Sequence, residues 1–301
     1  TLVTHRWELD ASKKWKYHDK RAQPKIENNS KNQVIRLPRY RTFWGNLNGF
    51  AYKFYVLRQI SIISRWVLGF LDPDSDSLDS YLIYKKYLFD HLKKNKYDFV
   101  MGIFSPHHHL KLCYEINKKF NIPYILDFRD LWDNKAVDLN YSPSGSNKNY
   151  MLFVEKYWSK WLSKAKFFTT LSKPWVDRLR LLSNALGYIV MHGYDEDMEI
   201  FQNKIYYNSN EFIILYVGSI YENQRLDKFL KGFSYFINKE KITNCKLVFL
   251  GSEKRVIHDK SGLYKNIRKD VLNKIPKNFV SFIPRVPRNE VLFWLSQASV
   301  L

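Results

Sequence analysis

Residues 97–128, YDFVMGIFSPHHHLKLCYEINKKFNIPYILDF, carry the reading that decides the fold. Tyr97 to Phe104 is a short apolar run, as a buried strand requires. From His109 to Phe120 the spacing turns helical, and Ile122 to Phe128, opened by Pro123, is a second strand. Strand, helix and strand in succession imply a parallel sheet, since parallel neighbours need a crossover. Working outward, Met151 to Ala165 predicts a helix with Trp158, Trp161 and Leu162 on one side. Phe167 to Leu171 is a strand. Ser172 then caps a helix with Pro174 in its first turn, and Gly187 to Met191 is a further short strand.

His192 to Asn210 is polar and acidic without a clear period, which reads as a linker. Alternation then restarts. Phe212 to Val217 is a strand ending at Gly218, and Leu226, Phe229, Leu230, Phe233, Phe236 and Ile237 form a helical stripe. Lys246 to Leu250 is a strand ending at Gly251. Phe279 to Ile283 is another, and Pro287 opens a helix carrying Val291, Leu292, Leu295 and Ala298. The expected organisation is an α/β unit at 1–192, a linker at 193–209 and a second α/β unit at 210–301. Thr1 to Thr4 reads as the tail of a strand and Ser299 to Leu301 as the head of another. Both ends are therefore expected to be cuts inside a fold.

The chain has 301 residues, 45% hydrophobic and 17% aromatic, enough to bury two cores. Its formal net charge is +20, which suits an anionic partner such as nucleic acid, a membrane surface or a phosphorylated substrate. Richness in Lys, Asn, Ile and Tyr offers a compositional explanation of the same charge. No RNA- or DNA-binding motif is present and the basic residues are spread along the chain, so nucleic acid is not the expected partner. Cys113 and Cys245 fall in different units, which makes no disulfide framework and fits a reducing cytosol. No apolar run reaches the ~20 residues that span a bilayer. Phe50 to Leu71 nevertheless reads as an amphipathic helix. Lys53, Arg58, Ser61, Ser64 and Arg65 share one arc, and Phe54, Leu57, Ile60, Trp66 and Phe70 lie largely off it. Such a helix lies on anionic lipid or packs its apolar face on the domain.

In open α/β sheets, ligands bind outside the carboxyl ends of the strands. Four predicted strand ends carry chemistry: Ser105-Pro106-His107, Asp127 to Asp130, His192-Gly193 and Gly218-Ser219. Two such units facing each other would form a cleft.

The segment Ile122 to Trp132, IPYILDFRDLW, resembles a signature of family 4 glycosyltransferases, in the branch with a D-F-R-D-x-W motif. Other segments resemble that family in the same order. They are Leu71 to Asp74, Tyr97 to His107, Glu155 to Ser172, the HGYD of His192 to Asp195, the YVGSIY of Tyr216 to Tyr221, and Val280 to Ala298. The departures are His107 for a second Pro and His192 for an Asn. The resemblance spans nearly the whole chain and implies the GT-B fold, two Rossmann-like domains facing across a cleft. It also implies an opening strand, glycine-rich loop and helix before Thr1, and a donor-gripping helix with paired glutamates after Leu301.

The activity so implied is transfer of a sugar, with retention, from a nucleotide-diphosphate donor to a glycan or lipid-linked acceptor. Bacterial surface polysaccharide synthesis is the expected setting, in the cytoplasm or peripheral on the inner face of the membrane. Gly218 and Ser219 would supply a turn for the diphosphate, with Arg225 as its cation and Gly251 approaching the nucleotide. Asp130 would orient or deprotonate the acceptor hydroxyl, and Arg129 would hold an anionic acceptor or the leaving phosphate. The competing reading is an Asp127–Arg129–Asp130 salt-bridge network that shapes the loop. His107 would contact acceptor or phosphate. His107, His108 and His109 are adjacent and point apart, so no metal is expected, and no cofactor beyond the donor substrate. A nucleotide-sugar epimerase of the same fold is the alternative enzyme. These 301 residues alone are expected to be inactive, because the sugar-gripping glutamates are absent.

Overall fold

The computed structural model describes residues 1–5, 16–28, 32–51, 53–68, 75–104, 106–131, 146–193, 211–218, 226–251 and 275–301. The chain divides into two compact units, Thr1–His192 and Gly193–Leu301.

The first unit holds two sheets. Strands β1 (Leu2–His5), β2 (Lys25–Asn28) and β3 (Gln33–Leu37) form one, in the order β1-β3-β2. β1 runs parallel to β3 and β2 antiparallel to it. This small sheet escapes a reading by periodicity, because β2 is a four-residue strand carrying Lys25 and Glu27. Helices α1 (Phe43–Ala51), α2 (Tyr55–Leu68) and α3 (Ser75–Lys94) follow. The second sheet is fully parallel, in the order β4-β5-β6-β7, from Val100–Phe104, Tyr124–Phe128, Phe167–Thr170 and Leu186–Ile189. Its crossovers are α4 (His107–Phe120), α5 (Ser146–Leu162) and α6 (Lys173–Arg180).

α4 starts two residues before the helical spacing does, at His107, with Pro106 as extended N-cap. It stops at Asn121, whose positive φ of 56° closes the helix in the left-handed region. One face of the parallel sheet is sealed. Tyr124, Leu126, Phe128 and Phe168 pack beneath Trp158, Trp161, Leu162, Val176 and Leu179. Tyr124 donates its hydroxyl to the Trp161 carbonyl, so a buried phenol is satisfied. On the opposite face Met101, Ile103, Leu186 and Tyr188 remain exposed. α3 joins the two sheets, with Tyr81, Ile83 and Tyr84 meeting Ile35, Leu37 and Leu112. Glu115 clamps α4 to α3. It accepts from the Tyr81 hydroxyl at 2.9 Å and pairs with Lys85 at 2.9 Å.

Gly187 of β7 is pressed on Phe168, and a Cβ there would lie 2.3 Å from the Phe168 ring. Phe168 is fully buried. Gly187→Ala is therefore expected to destabilise the first unit by about 1–3 kcal/mol, the cost of overpacking. Urea unfolding checks it, and an unchanged midpoint would show that the ring yields freely.

In the second unit β8 (Phe212–Val217), β9 (Cys245–Leu250) and β10 (Val280–Ile283) form a parallel sheet in the order β10-β9-β8. β9 is central and buried on both faces from Leu247 to Leu250, which explains the apolar run there. Leu247 and Phe249 pack with Leu230, Phe233 and Ile237 of α7 (Leu226–Glu240). Val248 and Leu250 pack towards Val291, Trp294 and Leu295 of α8 (Arg288–Gln297). The six-residue stripe expected on α7 is narrower in the fold. Leu230, Phe233 and Ile237 are buried, whereas Phe229 and Phe236 are exposed. A single sheet face covers only the central line of that arc. Val300 bridges in parallel to Ile214.

Candidate functional site

In the first unit, the carboxyl end of β5 carries the predicted acids. Asp127 and Thr169 face each other in the β5–β6 register. The Thr169 hydroxyl donates to Asp127 Oδ1 at 2.5 Å, and Arg129 Nε donates to Asp127 Oδ2 at 2.5 Å. Asp127 is 1% exposed, so the pair and the hydroxyl compensate a buried carboxylate. A terminal nitrogen of Arg129 also donates to the Val190 carbonyl at 3.2 Å, just beyond β7. Arg129 thus straps the ends of β5 and β7 across the intervening β6. The Asp127–Arg129 part of the competing salt-bridge reading is present. Asp130 is exposed at the same strand end. Thr169 went unnoticed in the sequence. Its signal was the T-x-x-S segment, in register with the acidic strand end.

The three adjacent histidines diverge. His107 is buried against Phe104, with ring centroids 4.8 Å apart, and its Nδ1 accepts the Trp158 indole N–H at 3.3 Å. Burial pushes its pKa down to about 3, so the ring is neutral near pH 7. This histidine, read as an acceptor or phosphate contact, stands in an aromatic core with one nitrogen engaged. His108 turns inward and is held far below the usual range by burial. His109 donates from Nδ1 to the Ile103 carbonyl at 2.9 Å. His108 and His109 form a ring cluster with His5 and Tyr84, in which His5 and Tyr84 are 4.6 Å apart and Tyr84 and His109 5.2 Å. Burial lowers His5 to about 4. Among the described residues, no group of three or more His, Cys, Asp or Glu is placed to hold a metal ion.

In the second unit, Gly218 and Gly251 close β8 and β9 side by side. Their φ angles are 134° and 92°, a region side chains rarely adopt. A Cβ on Gly251 would stand 3.5 Å from the Gly218 carbonyl oxygen. The two glycines leave bare backbone at the carboxyl edge of adjacent parallel strands. Their own N–H groups are used in the sheet: Gly218 donates to Leu250 and Gly251 to Ile283. The Gly218 amide, expected among the donors of this turn, is thus engaged within the sheet. Ser219 and Arg225 lie outside the described residues.

The fold is that of the GT-B enzymes, with parallel α/β units of Rossmann type. No protein-family model matches the chain, and no curated protein matches it. Solved structures do. The sucrose-phosphate synthase of Thermosynechococcus elongatus is 12% identical with a TM-score of 0.55, over 94% of this chain and 62% of its own. A structure described as trehalose-6-phosphate from E. coli bound with UDP-2-fluoro glucose is 10% identical with a TM-score of 0.55, over 98% of this chain and 75% of its own. An OtsA structure without ligand gives 10% identity and a TM-score of 0.55, over 93% of this chain and 67% of its own. The chain thus spans between three-fifths and three-quarters of these relatives.

Proposed function

We propose that this chain belongs to a retaining family 4 glycosyltransferase, which moves a sugar from a nucleotide-diphosphate donor to a glycan or lipid-linked acceptor. The observation that carries the reading is the GT-B match over 98% of the chain to a structure holding a UDP-sugar analogue. The bare glycine edge of the second unit supports it, since a diphosphate needs close backbone approach. In this reading the second unit holds the donor through Gly218, Ser219, Arg225 and Gly251, and the first supplies the acceptor side. The acceptor hydroxyl attacks the anomeric carbon while the bond to the diphosphate breaks. Asp130 takes or orients the hydroxyl proton. Arg129 holds the strand ends that carry it, and His107 shapes the floor behind them. No metal takes part. The setting is bacterial surface polysaccharide synthesis, on the cytoplasmic side.

The test incubates the protein of the complete reading frame with a panel of nucleotide sugars and acceptors. Release of nucleoside diphosphate with a glycoside of the donor's anomeric configuration is expected. Donor epimerised without transfer would establish the alternative enzyme, and no consumption of any donor would end the proposal. In the complete enzyme Arg225→Ala is expected to weaken donor use by about 1.5–3 kcal/mol, the worth of a hydrogen bond to a charged group. Unchanged donor affinity and turnover would make Arg225 a surface residue.

A further inference from the structure

The helix expected from Phe50 to Leu71 is two helices. Lys53 and Phe54 donate their N–H groups to the carbonyls of Phe50 and Ala51, and this turn parts α1 from α2. Both helices carry a stripe of apolar side chains on the side that faces outward. On α2, Val56, Ile60, Ile63 and Val67 recur at helical spacing and are 67%, 57%, 62% and 74% exposed, while Ser61 is buried. On α1 and the turn, Phe43, Leu47, Phe50 and Phe54 recur in the same way and are 67%, 47%, 52% and 51% exposed. A helix on a globular surface normally shows the reverse pattern. Single exposed apolar residues need no account, but a stripe along two consecutive helices does. The α2 stripe alone is about 16 Å long at 1.5 Å per residue.

The orientation of the pair is held from within. Gly45 sits against Asp79 of α3, where a Cβ would overlap the carboxylate, and the Thr42 N–H donates to Asp79 Oδ1 at 2.7 Å. The Tyr157 hydroxyl of α5 donates to the Val67 carbonyl at 3.2 Å, tying down the far end of α2. These contacts fix one side of each helix on the protein and leave the apolar stripes outside.

Charge decides the occupant. Between Glu27 and Asp72 there are seven Lys and Arg and no acidic residue. Lys53 and Arg58, both exposed, flank the apolar stripes. A second copy of this chain seated on the same surface would set cation against cation. An anionic lipid surface meets both properties, apolar below and negative at the headgroups. Among the described residues no helix is long and apolar enough to cross a membrane.

We propose that α1 and α2 form a membrane-docking hairpin. Phe43, Leu47 and Phe50 on one helix, and Val56, Ile60 and Ile63 on the other, enter the acyl boundary of an anionic bilayer. This deepens the lipid-linked acceptor reading by naming the surface that would present the acceptor, yet it stands or falls without any sugar transfer. The full chain is floated with vesicles of neutral phosphatidylcholine, and with vesicles containing one-third phosphatidylglycerol, at low and high salt. Binding is expected to be strong only with the anionic lipid and to weaken with salt. Ile60→Glu with Ile63→Glu, both at outward positions, is expected to lower the partition coefficient by about 100-fold with circular dichroism unchanged. Lys53→Glu is expected to lower it by about 10-fold, and only on anionic vesicles. Three results would overturn the proposal. They are equal binding to both vesicle types, full binding by the double variant, or a concentration-dependent dimer that the double variant dissolves while vesicles are ignored.

Discussion

Asp130→Asn in the complete enzyme is expected to cut sugar transfer by about 100- to 1000-fold, the usual worth of a positioned acid or base. Donor affinity is expected to stay within about twofold, because Asp130 belongs to the acceptor side of the proposed reaction. The reason for choosing Asp130 over Asp127 is geometric. Asp127 is sealed, with one oxygen bonded to Thr169 and the other to Arg129. A carboxylate so committed cannot take a substrate proton. Asp130, at the same strand end, is exposed. Asp127→Asn should therefore cost folding stability first, since it leaves the strap from Arg129 without its anion. Steady-state kinetics with donor and acceptor varied separately, beside a denaturation curve for each variant, separates the roles. Turnover of Asp130→Asn within threefold of the parent would remove it from the chemistry.

The second large effect is on acid stability. His5 is lowered to about 4 and His107 to about 3, in both cases first of all by burial, and burial holds His108 well below its usual value. In the unfolded chain these groups titrate near 6.5. Below that pH the unfolded state binds more protons than the folded one, so stability falls as pH falls. The loss begins near pH 6.5 and continues to the folded values at 4 and 3. At 1.36 kcal/mol per pKa unit, His5 and His107 together remove about 5–8 kcal/mol, comparable with the whole stability of a domain. The first unit is expected to lose its packing near pH 5. Eight of the nine tryptophans lie in it, among them the core residues Trp158 and Trp161, so indole emission reports the transition. His108→Leu, which puts an apolar group where His108 Nε2 has no hydrogen-bond partner among the described residues, is expected to lower the acid midpoint. A parent midpoint below pH 3.5, or a variant that titrates like the parent, would shift the cause to carboxylates.

The sequence by itself was enough for the parallel units. YDFVMGIF, IPYILDF and FIILYV are apolar runs of strand length separated by helical spacing, and each became a strand of a parallel sheet. It also marked the glycines that end β8 and β9, because a strand of β-branched and aromatic residues stops visibly at Gly. Of the small β1-β3-β2 sheet only the strand at Thr1 to Thr4 was legible. β2 is short and charged, and what makes it a strand is pairing with β3, a contact that periodicity does not record.

Tertiary structure alone decided which side each functional residue faces. Asp127 and Asp130 are the same residue type three positions apart, and only the register of Asp127 against Thr169 turns one inward. Three histidines in a row look alike in sequence. Their neighbours from β1, α3 and α5 send one to a tryptophan, one into a buried ring cluster and one to a backbone carbonyl. The apolar residues from Phe50 to Leu71 read equally as core or as lipid-facing surface. Asp79 of α3 made the choice by taking the Gly45 side of α1, and this left the phenylalanines outside. Composition fixes how much apolar surface a helix carries, whereas the neighbour that packs first fixes which side of it meets the solvent.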